Sequence, residues 1–474
     1  MSACDVIVLG AGPAGASAAI EASKAGLNVV LLDAGAAAGG QVYRAPPGSF
    51  RVTDAEAMGP DFAIGDGLRQ ELAASPAKCF FGRSVWHIAP GFVVRAVFEG
   101  NTEVYEAPTL IVAMGTHERV IPMPGWTLPG VMGLAAATIL LKSQRILPGE
   151  NTVVAGTGPL LAAVAASILK GGGKVAALVE LSTRMDWVKA LPSLISRPDL
   201  LKRGFGWLGE LRAAGVPIYR GHALTAITGD AEVTGVEIAP VDAQWRPLAG
   251  QRRTIAADSV TIGHGLVPST EVTRLMGAKH EYRHEQGGWV ALRNEDFETT
   301  IPNIFVAGDG AGIAGAAAAA LRGRITGLAV ARRAGRKIDA SRETTLRAQL
   351  GKAERFGHAI SDLMQARPGL IETMTPETIV CRCEEVTRAD LDSAIRDGAR
   401  DVNQMKAWTR CGMGPCQGRM CGEAAASLLA AVQGGDRSKV GQLTARPPLR
   451  PIPYEAIVGQ FDYADMELPE PQPG

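Results

Sequence analysis

The chain of 474 residues has no excess charge of either sign: 48 Lys and Arg stand against 48 Asp and Glu. Nucleic acids and anionic membrane surfaces select a basic excess, so neither is expected as the main partner. A charged leader is also missing. Residues 1–5 contain no Lys or Arg, and the apolar run VIVLGAG reads as a strand and a glycine turn rather than a signal. The long uncharged stretch at 151–169 is interrupted by Gly-Thr-Gly-Pro, which does not suit a membrane helix. These absences read as a cytoplasmic protein without a membrane span, with a peripheral place at the inner membrane left open. Cysteine is scarce over most of the length. Of seven, only Cys4 and Cys79 lie outside a C-terminal patch, so no disulfide framework is expected, and clustered thiols point to metal or redox chemistry.

What is present suits folded domains with real cores: 46% hydrophobic and 20% charged residues, at a length that fits about three domains. Glycine, at 57 residues, exceeds the usual ~7% and predicts many tight turns and close backbone approaches to ligands.

The first residues give the order strand, glycine loop, helix, strand, acid. DVIVL is followed by GAGPAG at 10–15, an alanine-rich helix, and NVVLLD ending at Asp33. Gly10 permits the turn, Gly12 lets the backbone approach a pyrophosphate, and Gly15 allows helix and strand to pack closely. The helix N-terminus offers free N–H groups to phosphate, and Asp33 stands where an acid accepts from a ribose.

The pattern recurs at 152–180, TVVAGTGPLLAAVAASILKGGGKVAALVE, with Gly156, Gly158 and the acid Glu180. A second nucleotide, NAD(P) or ATP, is one reading of this copy. A fold kept for packing or for partner contacts is the other, and Arg184 leaves open a 2′-phosphate. Runs of short strands starting at CFFGRSVWHI and PIYRGHALTAI follow the two copies, so the chain reads as two nested nucleotide-binding folds. Asp309, in IPNIFVAGDG at 301–310, ends a strand before a helix and is a candidate for a ribityl hydroxyl or a helix cap.

GAGPAG, LIVAMGTHERVIPMPG and IPNIFVAGDG together resemble the three signatures of two-dinucleotide-binding-domain flavoproteins, the glutathione and thioredoxin reductase-like class. The resemblance covers about residues 1–335. It implies FAD held by Gly10, Gly12, Gly15, Asp33, Gln41, Arg44, Val85, Gly115, Gly308 and Asp309, with GGQVYR at 39–44 on the flavin side. Disulfide reductases of this class carry a cysteine pair beside the flavin. Here residues 39–44 have none and no cysteine falls between 80 and 380, so electrons must pass elsewhere.

The patch lies downstream, as CRC at 381–383 and TRCGMGPCQGRMCG at 409–422. Thiolates from two loops suit a [2Fe–2S] cluster, and glycines let the backbone aim N–H groups at sulfur. Structural zinc also takes four cysteines, although C-x-C fits a tetrahedral site less well than C-x₂-C, and unligated thiols remain a third reading. Cys421 reads as a small buried side chain on the first turn of the last helix. Thr387 and Asp390 form a capping-box-like helix start.

The region is similar to the [2Fe–2S] domain of bacterioferritin-associated ferredoxin, through C-R-C-E-E-V-T and G-M-G-P-C-Q-G. That likeness implies Cys381, Cys383, Cys411 and Cys416 as ligands. The whole chain, with GHGLVPSTEVTRLMGA and the tail PPLRPIPYEAIVG, resembles a family of heteromeric-enzyme components. Its members are the alpha-type components of opine oxidases and of dye-linked amino-acid dehydrogenases, and the HcnB-type component of hydrogen cyanide synthases.

The expected fold class is α/β, with two nested Rossmann-like folds of the glutathione reductase type and a small α-rich C-terminal [2Fe–2S] domain. The expected division is an FAD-binding domain at 1–120 and 255–335, a second dinucleotide-binding domain at 121–254, a helical linker at 336–375, the cluster domain at 376–435 and a proline-rich tail at 436–474. The resemblance implies an electron-transfer component of a heteromeric amino-acid or opine dehydrogenase acting on CH–NH donors. Electrons would come from a D-amino-acid-oxidase-like flavoprotein partner and go to a quinone or similar acceptor. A small ferredoxin-like protein is a further candidate partner. The alternatives are a self-sufficient NAD(P)H-dependent reductase and a non-catalytic scaffold. No residue has a clear acid–base role. His117 is a weak catalytic candidate, beside Glu118; His264 is a candidate for approach to the flavin, and Trp126 reads as packing at the domain crossing.

Overall fold

The computed structural model describes residues 4–50 and 59–458, so residues 459–474 of the tail lie outside the described residues. The chain begins with β1 (Val6–Leu9), α1 (Pro13–Lys24), β2 (Val29–Asp33), β3 (Lys78–Phe81) and β4 (Thr109–Val112). β5 (Thr116–Glu118) leads into β6 (Val131–Gly133), β7 (Asn151–Gly156), α2 (Pro159–Lys170) and β8 (Lys174–Glu180). α3 (Arg184–Leu194), α4 (Pro198–Ala213), β9 (Ile218–Arg220), β10 (Ser259–Gly263) and β11 (Leu266–Pro268) follow. The chain then returns through β12 (Ile304–Val306) to α5 (Ala316–Arg333), α6 (Ala340–Leu363) and, in the cysteine-rich region, α7 (Gly422–Val432).

Two all-parallel, five-stranded sheets result. The first has the order β12-β4-β1-β2-β3 and the second β9-β8-β7-β10-β6. In each, the glycine-loop strand lies at the centre. VIVL of β1 is buried at every position because helices cover both faces, so its sequence is a continuous apolar run rather than an alternating one. Each sheet also carries a three-stranded antiparallel meander, at 84–106 and at 222–256. β5 and β11 pair antiparallel, Val267 opposite His117, and form a ribbon where the chain crosses between the sheets.

The segment expected as a helical linker is firmly packed. α6 lays Leu346, Leu350 and Ala353 against Ala318, Ile325 and Leu328 of α5. A side chain at Gly357 would strike the Ala314 carbonyl, so this helix crosses the turn before α5 with no room for a Cβ. Arg322, fully buried on α5, pairs with Glu354 of α6 at 2.7 Å and donates to the carbonyls of Gly308 and Gly312.

The cysteine-rich region forms its own core from Val380, Leu391, Val402, Met405, Leu428 and Leu429. Thr387 and Asp390 make the expected capping box. The proline-rich segment turns back over the first sheet, where Leu449 donates its N–H to the Trp86 carbonyl at 2.7 Å and joins that fold's core. No helix among the described residues is long and apolar enough to cross a membrane.

Arg322→Met is expected to cost about 3 kcal/mol, the low end for breaking a buried pair because Glu354 keeps some solvent. Urea denaturation measures this; a loss below ~1 kcal/mol would place the Arg322–Glu354 pair among ordinary surface bridges.

Candidate functional site

The three signatures converge at the C-terminal ends of the first sheet. Gly10 has φ +99°, and a Cβ there would lie 2.5 Å from the Ala113 carbonyl oxygen of the second signature. A Cβ on Gly15 would collide with the Gly10 carbonyl. Gly308, φ +74°, faces Ala14 of α1 with 2.6 Å between the added Cβ and that methyl. Gly310 abuts the Gly115 carbonyl at 3.2 Å on the same measure. Gly12 caps α1 and faces the Gly40 backbone. The strand-to-helix opening therefore presents bare backbone, a cradle that side chains would fill.

Asp33 accepts from Ala11 N–H at 2.5 Å and Gly35 N–H at 2.6 Å, so it braces the glycine loop in addition to standing at the expected ribose position. Asp309 accepts from Ala314 and Gly315 N–H, both at 3.0 Å, and anchors the turn before α5, whose N-cap is Gly315. Gln41 is exposed, while Val85 is buried in the adjoining meander. Arg44 is half-buried, and its Nε is enclosed with no hydrogen-bond partner. A buried donor without a partner costs about 1–3 kcal/mol, so a bound acceptor is the fitting complement. These residues fit a dinucleotide of the FAD type. Beside Asp309 a crevice of about 190 Å³ is lined by Ala314, Pro159, Leu160, Ile360 and Met364.

The crossing ribbon carries two of the other candidates, and two more lie close to it. Glu118 accepts from Ala135 N–H at 2.7 Å and supports the helix start after Gly133; it is a structural acid. His117 is half-buried with an unpartnered Nδ1, and burial lowers its pKa although Glu271 and Glu423 oppose this. His264 is buried, likewise unpartnered at Nδ1, and pushed down to about 4 by burial and Arg119, which keeps it neutral. Trp126 donates to the Ile379 carbonyl at 2.7 Å and ties the second fold to the cysteine region, as expected of a packing residue.

The thiols form a second centre. The sulfurs of Cys381, Cys411 and Cys421 all lie within 4.8 Å of one another. Cys416 adjoins Cys421 and Cys383, so five thiols form one contiguous patch. Cys421, read from sequence as a plain buried side chain, is instead central to it. The turn 416–421 brings its sulfur back onto Cys381, a closure that spacing alone does not display. Thiol donation from Cys411 and Cys421, with backbone N–H groups of Gly412 and Glu384, pushes Cys381 down to about 2. Donation from Cys421, with the N–H groups of Met420 and Gly418, lowers Cys416 to about 5. Cys411 is pushed up to about 12 as the donor to Cys381, and Cys421 is raised too. Gly414 has no room for a Cβ beside Cys383. Bare backbone, aimed N–H groups and an all-sulfur donor set suit a thiolate-bound metal cluster.

The second glycine loop looks different. Gly156 packs on the Gly263 carbonyl, and the space in front of Gly158 holds the Met364 side chain, 2.6 Å from where a Cβ would stand. Glu180 is buried, accepts from Trp187 Nε1 at 2.9 Å and lies 3.4 Å from Arg220. One reading of the sequence placed a second nucleotide on these three residues; the structure gives each an internal neighbour.

Residues 4–335 match the model of the pyridine nucleotide-disulphide oxidoreductase family. The chain belongs to that family. It is an oxidoreductase, and the family points to FAD in its first fold. Residues 375–460 match the sarcosine oxidase A3 domain. Over its length the chain is 34% identical to the HcnB component of hydrogen cyanide synthase from Pseudomonas aeruginosa, covering 95% of this chain and 97% of that one. It is 35% identical to the A-type component of opine oxidase from Rhizobium meliloti, covering 95% and 98%. Among solved structures, L-proline dehydrogenase from P. horikoshii superposes with a TM-score of 0.69 at 18% identity, over 96% of this chain and 79% of that one. T. acidophilum thioredoxin reductase does so with 0.51 at 22%, over 70% and 99%. At those identities the two structures share the fold.

Gly15→Ala is expected to purify with its flavin largely lost, because the new methyl must displace the Gly10 carbonyl. The flavin-to-protein absorbance ratio measures it; wild-type flavin content would show that the loop tolerates the methyl.

Proposed function

We propose that the chain is the FAD- and [2Fe–2S]-carrying electron-transfer component of a heteromeric enzyme that oxidises a C–N bond of an amino acid or opine. A D-amino-acid-oxidase-like partner would take the hydride from the substrate, and a quinone-type acceptor would receive the electrons. The observation that carries the reading is the joining of the five-thiol patch to the flavin-type fold in one packed body. The likeness to the opine oxidase component and to HcnB supports it.

When bound, a flavin exchanges one or two electrons and a [2Fe–2S] cluster exchanges one. The chain's own residues hold and insulate the two groups. The cradle of Gly10, Gly12 and Gly15 binds pyrophosphate, Asp33 and Asp309 order the loops at its two ends, and Arg44 offers its free donor. Of the thiols, Cys381 and Cys416, favoured as thiolates, hold opposite ends of the patch, with Cys383, Cys411 and Cys421 around them. Neutral His117 and His264 lie between the ribbon and the cysteine region without adding charge.

A surface for a partner is also present. α3 exposes Met185, Val188, Leu191 and, at its end, Ile195, which helical spacing places on one face, and α4 adds the exposed Phe205. Exposed apolar stripes of this kind mark interaction sites.

Two outcomes test the proposal. Anaerobic purification of wild type should yield flavin and two irons per chain, the number a [2Fe–2S] cluster requires. Cys381→Ser and Cys421→Ser should each remove the visible absorption of the cluster while keeping flavin. Zinc in place of iron, or absorption retained in Cys421→Ser, would revise the metal or the ligand set respectively. Val188→Glu should fold and keep its flavin but fail to co-purify with an amine-oxidising flavoprotein encoded beside it. Undiminished co-purification would move the interface elsewhere.

A further inference from the structure

The second fold keeps every backbone feature of a dinucleotide site. β7 runs through Gly156 and Gly158 into α2, and Gly158 has φ +92°. In such folds the second glycine is bare so that a pyrophosphate can approach the backbone and the helix N-terminus. Here a side chain makes that approach. From the position a Cβ would take on Gly158, Met364 Cγ is 2.6 Å away, Sδ 2.7 Å and Cε 3.2 Å.

The contact is part of a longer seam. The Leu363 carbonyl accepts from Thr157 Oγ1 at 3.4 Å, within the same loop, and Thr157 is also within 3.0 Å of the Ser182 hydroxyl. The Met364 carbonyl oxygen stands 3.1 Å from the Cβ position of Gly265. Gln365 accepts from Arg119 at 2.9 Å, and Arg367 pairs with Asp186 of α3 at 2.6 Å. Residues 363–367 therefore run across the carboxyl end of the second sheet, pinned at both sides of the loop.

The ribose end is closed as well. Glu180, which would have to accept from a ribose, is buried against Trp187 and Arg220. Arg184, the candidate for a 2′-phosphate, is exposed, while the cation that faces this edge, Arg367, is committed to Asp186. The same Met364 lines the crevice beside Asp309, so the end of α6 stands between the flavin-side cradle and the second loop. The crevice of about 190 Å³ is smaller than the roughly 300–1,000 Å³ of ordinary ligand pockets.

We infer that the second dinucleotide fold takes no nucleotide, because the chain's own Leu363–Met364–Gln365 turn occupies the place of the pyrophosphate. The fold instead backs the wall of the flavin crevice and presents α3 and α4 to the outside. The chain therefore does not draw hydride from NAD(P)H. This conclusion does not depend on the metal in the thiol patch or on the identity of the partner.

Equilibrium dialysis of the full flavin-loaded chain with NADH, NADPH and ATP, each separately, tests it. Wild type should show no saturable binding tighter than about 1 mM to any of the three. Met364→Ala, checked for flavin retention and circular dichroism, should gain at least about tenfold in affinity for one of them, since it empties the space before Gly158. Saturable submillimolar binding by wild type overturns the inference. A Met364→Ala protein that is folded and still binds nothing overturns the assignment of Met364 as the group that closes the loop.

Discussion

The arrangement depends on Arg119, one residue past the first strand of the crossing ribbon. Its guanidinium donates to Gln365 Oε1 at 2.9 Å, to the Gly287 carbonyl at 2.8 Å and to the Leu266 carbonyl at 3.4 Å, and lies 3.8 Å from Glu423. One buried cation thus touches the end of α6, the return from the second sheet to the first, and the first turn of α7, two residues beyond Cys421. Burial raises the pKa of Glu423, but Arg437, Arg119 and His117 outweigh it and hold the carboxyl below its ordinary range. A buried pair of this type is weak evidence for net stability, yet removing either partner leaves a charge without compensation. Its consequence is geometric: the thiol patch, the ribbon and the closing turn can each sit in one register only.

The lattice of ion pairs along α6 serves the same end by different means. Glu21 of α1 meets Arg324 and Arg342, Glu343 meets Arg332 and Arg347, and Glu354 meets Arg322. Most of these arginines keep some exposure, so each pair contributes little by itself. With the apolar seam of Leu346, Leu350 and Ala353 beneath them, they fix the helix along its length. A tether between domains would not need that seam. A helix that must place Met364 and Gln365 within a few tenths of an ångström does.

Much of this was legible in the sequence, and what was legible shares a cause. The glycine loops, the strand ends at Asp33 and Asp309, the meanders and the Thr387–Asp390 cap are local: each is fixed by backbone conformation over a handful of residues. The thiol patch was legible because cysteine is rare elsewhere in the chain. What could not be read were contacts made by ordinary residues over long separations. Met364 carries no motif, and nothing in LMQAR announces a partner some 200 positions earlier at Gly158. Cys421 stood in the right stretch, but its placement depends on how the 416–421 turn closes. The packing of α6 has a signal in its apolar positions at Leu346, Leu350 and Ala353, but that helical spacing is faint beside the many charges. The role of Asp33 as a brace is local but has the same signature as a ribose acid.

The two nucleotide folds show why a motif constrains shape more tightly than occupancy. A glycine with φ near +90° beside a helix N-terminus is required by the turn itself, whatever fills the space in front of it. In the first fold the loop presents bare backbone, the neighbouring Arg44 Nε has no partner, and the surroundings are complementary to an acceptor. In the second, the same turn faces a thioether, and the acid that would mark a ribose has an indole and a guanidinium as neighbours. Unsatisfied donors distinguish the two loops where the glycine spacing cannot. A buried N–H without an acceptor carries a cost that a bound ligand relieves, and a satisfied acid with a filled cradle leaves nothing for a ligand to gain. The division of labour follows: one fold is built to receive a cofactor, and its copy is built to hold the wall beside it.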